Sequence, residues 1–125
     1  MDMYQENIID HGQRPHNWGL LEDFDMHAHD DNPLCGDQLE ITIKLDENEK
    51  IAAVGWQGEG CTISQATASM LGDELIGQTL DAVKNISKED ILELLGIPIS
   101  MTRMKCAMLS LKVVKSAAYG LSEDE

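Results

Sequence analysis

The stretch Asp37–Leu45 constrains the fold of this chain more than any other. Leu39, Ile41, Ile43 and Leu45 alternate with Gln38, Glu40, Thr42 and Lys44, the period of two that a strand with one buried face requires. Asp46-Glu47-Asn48-Glu49 supplies a turn, and Ile51 to Trp56 returns as a second strand, so a hairpin is expected. Upstream, Phe24, Met26 and Ala28 alternate with Asp25, His27 and His29, which predicts a short half-buried strand. Downstream, Gly55, Gly58 and Gly60 loosen the backbone, and from Thr62 the apolar spacing becomes helical as far as Gly72 or Ile76.

The remaining chain reads as helices. Residues 3–11 form an amphipathic helix with Tyr4, Ile8 and His11 on one side and Gly12 ending it, followed by a loop over 12–23. Thr79 caps a short helix running through Val83. Ser87-Lys88-Glu89-Asp90 is a capping-box variant that opens a helix carrying Ile91, Leu92, Leu94 and Leu95, closed by Gly96 and Pro98. A last helix runs from Thr102 to about Tyr119, with Met104, Met108, Leu111, Val114 and Ala118 apolar. Strands early and helices late predict an α+β fold: a small three-stranded antiparallel sheet with helices packed on one face. The 125 residues suit one domain, 1–125, with a short acidic tail at 121–125.

Charge narrows the function. A formal net charge of −14 excludes nucleic acid as a partner, because nothing would neutralise phosphates. It disfavours anionic membrane and favours a basic protein partner or a cationic metal. No apolar stretch approaches the roughly 20 residues of a membrane span, and the N-terminus lacks the pattern of a signal peptide. A cytoplasmic location is expected. The cysteine count is three, and an odd count cannot pair off into internal disulfides; thiols kept reduced are thiols kept for chemistry.

Each cysteine sits in a setting suited to holding metal. Cys35 lies in the Pro/Gly loop Asn32-Pro33-Leu34-Cys35-Gly36-Asp37, where Cys-x-Asp lets a thiolate and a carboxylate converge on one ion. Cys61 follows Gly58-Glu59-Gly60 at a predicted helix start, where free amide N–H groups favour the thiolate. Cys106 lies near the start of the last helix, between Arg103 and Lys105 on one side and Ala107 on the other. Three thiolates and the Asp37 carboxylate would complete a four-coordinate site for zinc or for iron in a cluster. His27 and His29 read as surface residues or as neighbours of that site, and His11 and His16 as structural. Asp30-Asp31 and Glu22-Asp23 read as solvated turn residues.

Together, Asn32-Pro-x-Cys-Gly-Asp37, Gly58-Glu-Gly-Cys-Thr-Ile-Ser64 and Arg103-x-Lys-Cys106 resemble the iron–sulfur assembly proteins of the IscU/SufU/NifU-N-terminal family. Tyr4-x-x-x-Ile8-x-Asp10-His11 and Arg14-Pro15-His16-Asn17-x-Gly19 look like that family's opening helix and loop. The resemblance covers residues 3–120. It implies a compact α+β fold with Cys35, Asp37, Cys61 and Cys106 around one site, which receives sulfur from a cysteine desulfurase. The site then holds iron or a [2Fe–2S] cluster for downstream apo-proteins or cluster carriers, or, in the SufU branch, holds zinc and relays sulfur.

The chain mixes features of the two branches. Lys105 stands where IscU-type members usually carry histidine, which is SufU-like. Only 44 residues separate Cys61 from Cys106, the shorter IscU-like interval. Gly96-Ile-Pro-Ile-Ser100 replaces the segment by which IscU binds its chaperone. Cys106 or Cys35 would accept sulfur, with Arg103 and Lys105 supporting the site or meeting a partner. Three readings follow: a scaffold without turnover of its own, a zinc-dependent sulfurtransferase closer to an enzyme, and a structural-zinc interaction module.

Overall fold

The structure, a computed structural model, describes residues 3–32, 36–96 and 99–119. Helix α1 (Met3–Gln13) precedes strands β1 (Met26–Asn32), β2 (Asp37–Leu45) and β3 (Ile51–Glu59). Helices α2 (Thr62–Leu75), α3 (Leu80–Lys84), α4 (Lys88–Leu95) and α5 (Met101–Tyr119) follow. The strands pair antiparallel in the order β1-β2-β3. This is the expected α+β arrangement.

The alternation in β2 fixes which face is covered. Leu39, Ile41 and Ile43 are fully buried, each contributing about 1.5–3 kcal/mol from loss of apolar surface to water. Cross-strand register places Val54 and Trp56 of β3 and Ala28 of β1 beside them, and residues directly opposite share a face. Ala66, Leu71 and Leu75 of α2 join this core, as do Ala107, Val113, Val114 and Ala117 of α5. Gly72 lets α2 approach the sheet closely, since a Cβ there would stand 2.7 Å from Nε1 of Trp56.

Several elements differ from the sequence expectation. Thr42 was expected on the solvated face of β2 but is buried. Its hydroxyl donates to the Gly55 carbonyl at 3.1 Å and accepts from the Leu21 amide at 3.0 Å. The loop before β1 therefore covers the outer face of the sheet there. Gly12 was expected to end α1, yet the helix continues to Gln13. Its missing side chain instead admits α2, because a Cβ would meet Cγ2 of Thr62 at 2.5 Å. Phe24 lies before β1 and is exposed. Strand β3 extends past Trp56 to Glu59, held by β2 pairing through Gln38.

The helix caps follow the sequence closely. Thr79 accepts from the Ala82 amide, Ser87 and Asp90 form the capping box, and Gly96 closes α4 in the left-handed region at φ 71°. Helix α5 begins one residue earlier than expected, and Ser100 supplies the acceptor for the Arg103 amide at 3.3 Å. Pro98 and the 121–125 tail lie outside the described residues.

Asp30 also departs from its expected place in a solvated turn. It sits on β1 opposite Leu39 and pairs with Lys112 of α5, Nζ to Oδ2 2.8 Å. Burial pushes its carboxyl up, but the Lys112 ammonium and the Asp31 amide pull it further down, for a net lowering from the ordinary 3.8. A depressed carboxyl stabilises the fold above its unfolded value and loses that contribution as pH falls through its folded value. We expect Asp30→Asn to lower the urea midpoint at pH 7, by the equivalent of about 1 kcal/mol. The gap to the parent protein should close as pH drops below about 3.8. A constant gap across that range would show that the pair contributes nothing electrostatic.

Candidate functional site

Asp37 is the first residue of β2 and is 3% exposed. A carboxylate buried to that degree must be hydrogen-bonded. Two donors reach it from the N-terminus of α2. The Cys61 amide donates to Oδ1 at 3.2 Å, and the Ser64 hydroxyl donates to Oδ2. Cys61 is the N-cap residue of α2, with extended backbone and no side-chain cap bond, so its thiol is left for other work. Its Sγ stands 3.7 Å from Oδ2 of Asp37 and 3.8 Å from Oγ of Ser64.

Glycine makes this approach possible. A Cβ on Gly60 would stand 3.0 Å from both Cγ of Asp37 and Cβ of Ser64. Gly58 has φ 154°, and a Cβ there would clash with the Gln38 carbonyl oxygen at 2.1 Å. The run Gly58-Glu59-Gly60 thus carries the chain from the end of β3 into α2 while pressed against the start of β2. Gly36, at φ 75°, makes the turn just before Asp37.

Cys106 comes from α5. It lies in the second turn, near the helix start as the sequence leads one to expect, and is 2% exposed. Ser64 ties it in, its Oγ lying 3.2 Å from the Cys106 carbonyl oxygen. One ligand atom each from Asp37, Cys61 and Cys106 lies within 4.8 Å of the others. Three elements separated in sequence therefore deliver two thiols and a carboxylate to one point. Two soft donors and one harder donor suit zinc or iron. Cys35, the fourth expected ligand, lies outside the described residues.

The other expected residues fall elsewhere. Arg103 and Lys105 are exposed on α5. His27 pairs with Glu40 across β1 and β2. His29 lies on the same outer face, opposite Glu40 in register. Ser64 closes the Gly58–Ser64 motif, and the motif alone assigns it no role. Its signal was its spacing: three residues past a helix N-cap, it points back to the cap and bonds whatever sits there. An open hollow of about 740 Å³ on the outer face of the sheet is lined by Trp18, His29, Glu40 and Gln57; a smaller groove of about 520 Å³ is lined by Leu71, Ala82, Ile86, Ile91 and Leu94. Neither contains a thiol, and the ligand group suits an ion better than an organic molecule. No helix among the described residues is long and apolar enough to cross a membrane.

Comparison with known proteins shows the family. The zinc-dependent sulfurtransferase SufU of Bacillus subtilis is 32% identical over 143 aligned positions, covering 98% of this chain and 92% of that protein. That alignment is longer than the chain itself, so SufU carries residues that this chain lacks. The iron–sulfur cluster assembly scaffold protein IscU of Aquifex aeolicus is 34% identical over 115 residues, covering 91% of this chain and 73% of that protein. The crystal structure of a NifU-like protein (N-terminal) from Brucella abortus superposes with a TM-score of 0.75. It is 18% identical and covers 98% of this chain and 96% of that one, a likeness of fold. Residues 3–123 match the NifU-like N terminal domain, and the chain belongs to that family.

Proposed function

We propose that this protein is a scaffold for iron–sulfur cluster assembly. It takes sulfur from a cysteine desulfurase and holds iron or a [2Fe–2S] cluster on Cys35, Asp37, Cys61 and Cys106. The observation that carries this reading is the convergence of Asp37, Cys61 and Cys106 from three elements within 4.8 Å. Cys35, two residues before Asp37 in the chain, supplies the third thiolate.

The donor set suits a carrier that must both hold and release. Thiolates bind iron and sulfide firmly, while a carboxylate is a harder and more labile ligand. Ser64 makes the release of Asp37 cheap. Its single proton serves either the Asp37 carboxylate or the Cys106 carbonyl. When Asp37 turns to a metal, the hydroxyl keeps a partner. Sulfur arrives by exchange: a thiolate of Cys106 or Cys35 attacks the outer sulfur of the desulfurase persulfide. A new S–S bond forms, the old one breaks, and the desulfurase cysteine leaves as thiolate with the electron pair. No oxidant is consumed. The desulfurase is the required donor, since nothing in this chain breaks a C–S bond.

A second reading, a zinc-dependent sulfurtransferase, draws on the 32% identity to SufU and on Lys105. The interval of 44 residues between Cys61 and Cys106 favours the scaffold. The alignment with the Aquifex aeolicus IscU, 115 positions over 91% of this chain, leaves almost no room for an insertion and points the same way.

Metal analysis separates the two. Protein prepared without air and reconstituted with iron, desulfurase, cysteine and a thiol reductant, which reduces the delivered sulfur to sulfide, should hold about two iron and two sulfide per cluster. Cys61→Ser and Cys106→Ser should each hold far less. Tightly held zinc with no acid-labile sulfide would install the sulfurtransferase reading instead.

Asp37→Ala should lengthen the life of a reconstituted cluster, because the labile ligand is gone while three thiolates remain. Decay of the visible absorbance after chelator addition measures this; an unchanged rate together with unchanged zinc content would remove Asp37 from the ligand set.

Persulfide should form on the protein only when desulfurase and cysteine are both present, and Cys35→Ser/Cys106→Ser should abolish it. Gel-shift labelling of thiols reads the product. Raising salt from low to physiological strength should slow loading, since a chain of charge −14 meets its donor through a basic surface. Full loading of the variant lacking all three cysteines would leave only the structural-module reading.

A further inference from the structure

A second cluster of metal-ligating side chains lies on the opposite stretch of α2, away from the thiols. His11 lies in the last turn of α1, His16 follows in the loop, and Asp73 sits in the last turn of α2. One ligand atom each from His11, His16 and Asp73 lies within 4.8 Å of the others. The two imidazole rings have centroids 4.4 Å apart at 51°. Asp73 stands twelve residues beyond Cys61, or about 18 Å along the helix, so no single ion spans both groups.

The cluster is held in place by groups that are not themselves ligands. Ser69, one helical turn before Asp73, is fully buried. Its Oγ accepts from the His16 amide at 2.6 Å and bonds Nδ1 of His11 at 2.7 Å. Asn17 Nδ2 donates to Oδ1 of Asp73 at 3.0 Å, leaving Oδ2 against Nδ1 of His16 at 2.7 Å. Partners of this kind set ring orientation and tautomer in known metal sites. The loop carrying His16 and Asn17 is anchored in turn: the Trp56 amide donates to the Asn17 carbonyl at 2.8 Å, and the Gly19 amide to the Trp56 carbonyl at 2.6 Å.

Electrostatics favour the protonation state a ligand needs. Burial lowers the His11 pKa from 6.5, and the neighbouring His16 lowers it further, against smaller opposing effects of Asp73 and Asp10. His11 therefore keeps a lone pair at neutral pH. The His16 and Asp73 side chains are 48% and 45% exposed, so an ion can enter from solvent and keep water in its remaining positions.

We propose that His11, His16 and Asp73 bind one divalent transition-metal ion of the Zn²⁺ or Fe²⁺ class, at a thiolate-free site separate from the cysteine site. Two imidazoles and a carboxylate select such borderline ions over Mg²⁺ or Ca²⁺, which want an oxygen shell. Small side-chain rotations bring the three donors onto one ion, Zn–N and Zn–O bonds being about 2.0–2.2 Å. The ion displaces the proton shared by His16 and Asp73. Bound there, it clamps the end of α1 and the following loop to α2.

The test uses tag-free protein and Zn²⁺ or Co²⁺ alone. The variant Cys35→Ser/Cys61→Ser/Cys106→Ser should still take up one Zn²⁺ per chain. Its Co²⁺ complex should show weak visible bands without the strong near-ultraviolet thiolate charge transfer. Adding His16→Gln or Asp73→Asn should weaken uptake about tenfold or more and remove the rise in Tm that Zn²⁺ produces. Should the cysteine-free variant not fold, the wild type should bind two Zn²⁺ and His16→Gln one. Zinc uptake confined to the thiols, or uptake by the cysteine-free variant that His16→Gln and Asp73→Asn leave unchanged, overturns the proposal. Neither result bears on the scaffold reading, which rests on the cysteines.

Discussion

The buried carboxylate of Asp37 is the constraint on which the site depends. A charge 3% exposed is tolerable only if fixed donors surround it, and the fold supplies them from one place. The Cys61 amide and Ser64 hydroxyl both belong to the first turn of α2. Satisfying Asp37 therefore locks the start of β2 to the start of α2. Ser64 then extends the link to the Cys106 carbonyl in α5. The same bonds that make the carboxylate tolerable bring the thiols to it.

This coupling explains why glycine clusters where it does. Gly58 and Gly60 serve no chemistry directly, but a side chain at either would hold β2 and α2 apart. Gly12 plays a similar part at the far side of α2, where Thr62 fills the space a side chain would need. Helix α2 is approached closely from both sides, and its buried face carries small residues accordingly: Ser64, Ala66, Thr67, Ala68 and Ser69. The polar ones are not passive filler. Ser64 serves the thiol site and Ser69 the histidine cluster, so one helix organises both groups.

Under the two proposals, thiolates and imidazoles divide the metal chemistry. The cysteine site has soft donors and one labile carboxylate, which suits cargo that must leave. The histidine cluster has harder donors and rigid supports, which suits an ion that stays and stiffens the α1–α2 contact. A chain of net charge −14 attracts cations to both.

Local rules governed most of what the sequence alone determined. The alternation of Asp37–Leu45, the capping chemistry of Thr79 and Ser87, and the Gly96 stop each act within a few residues, and each is read correctly from neighbours in the chain. The family and the α+β class followed from those elements and from three motifs in order. Tertiary structure decided what depends on distant partners. Thr42 is buried because a loop twenty residues upstream folds over it. Asp30 leaves solvent because Lys112 meets it from α5. Gly12 stays helical because α2 packs against it. The histidines at 11 and 16 become a cluster because Asp73, more than fifty residues on, lies on the same side of α2 as Ser69. Hydrogen bonds and ion pairs between elements are set by packing geometry, and packing geometry is a property of the whole chain that no local pattern encodes.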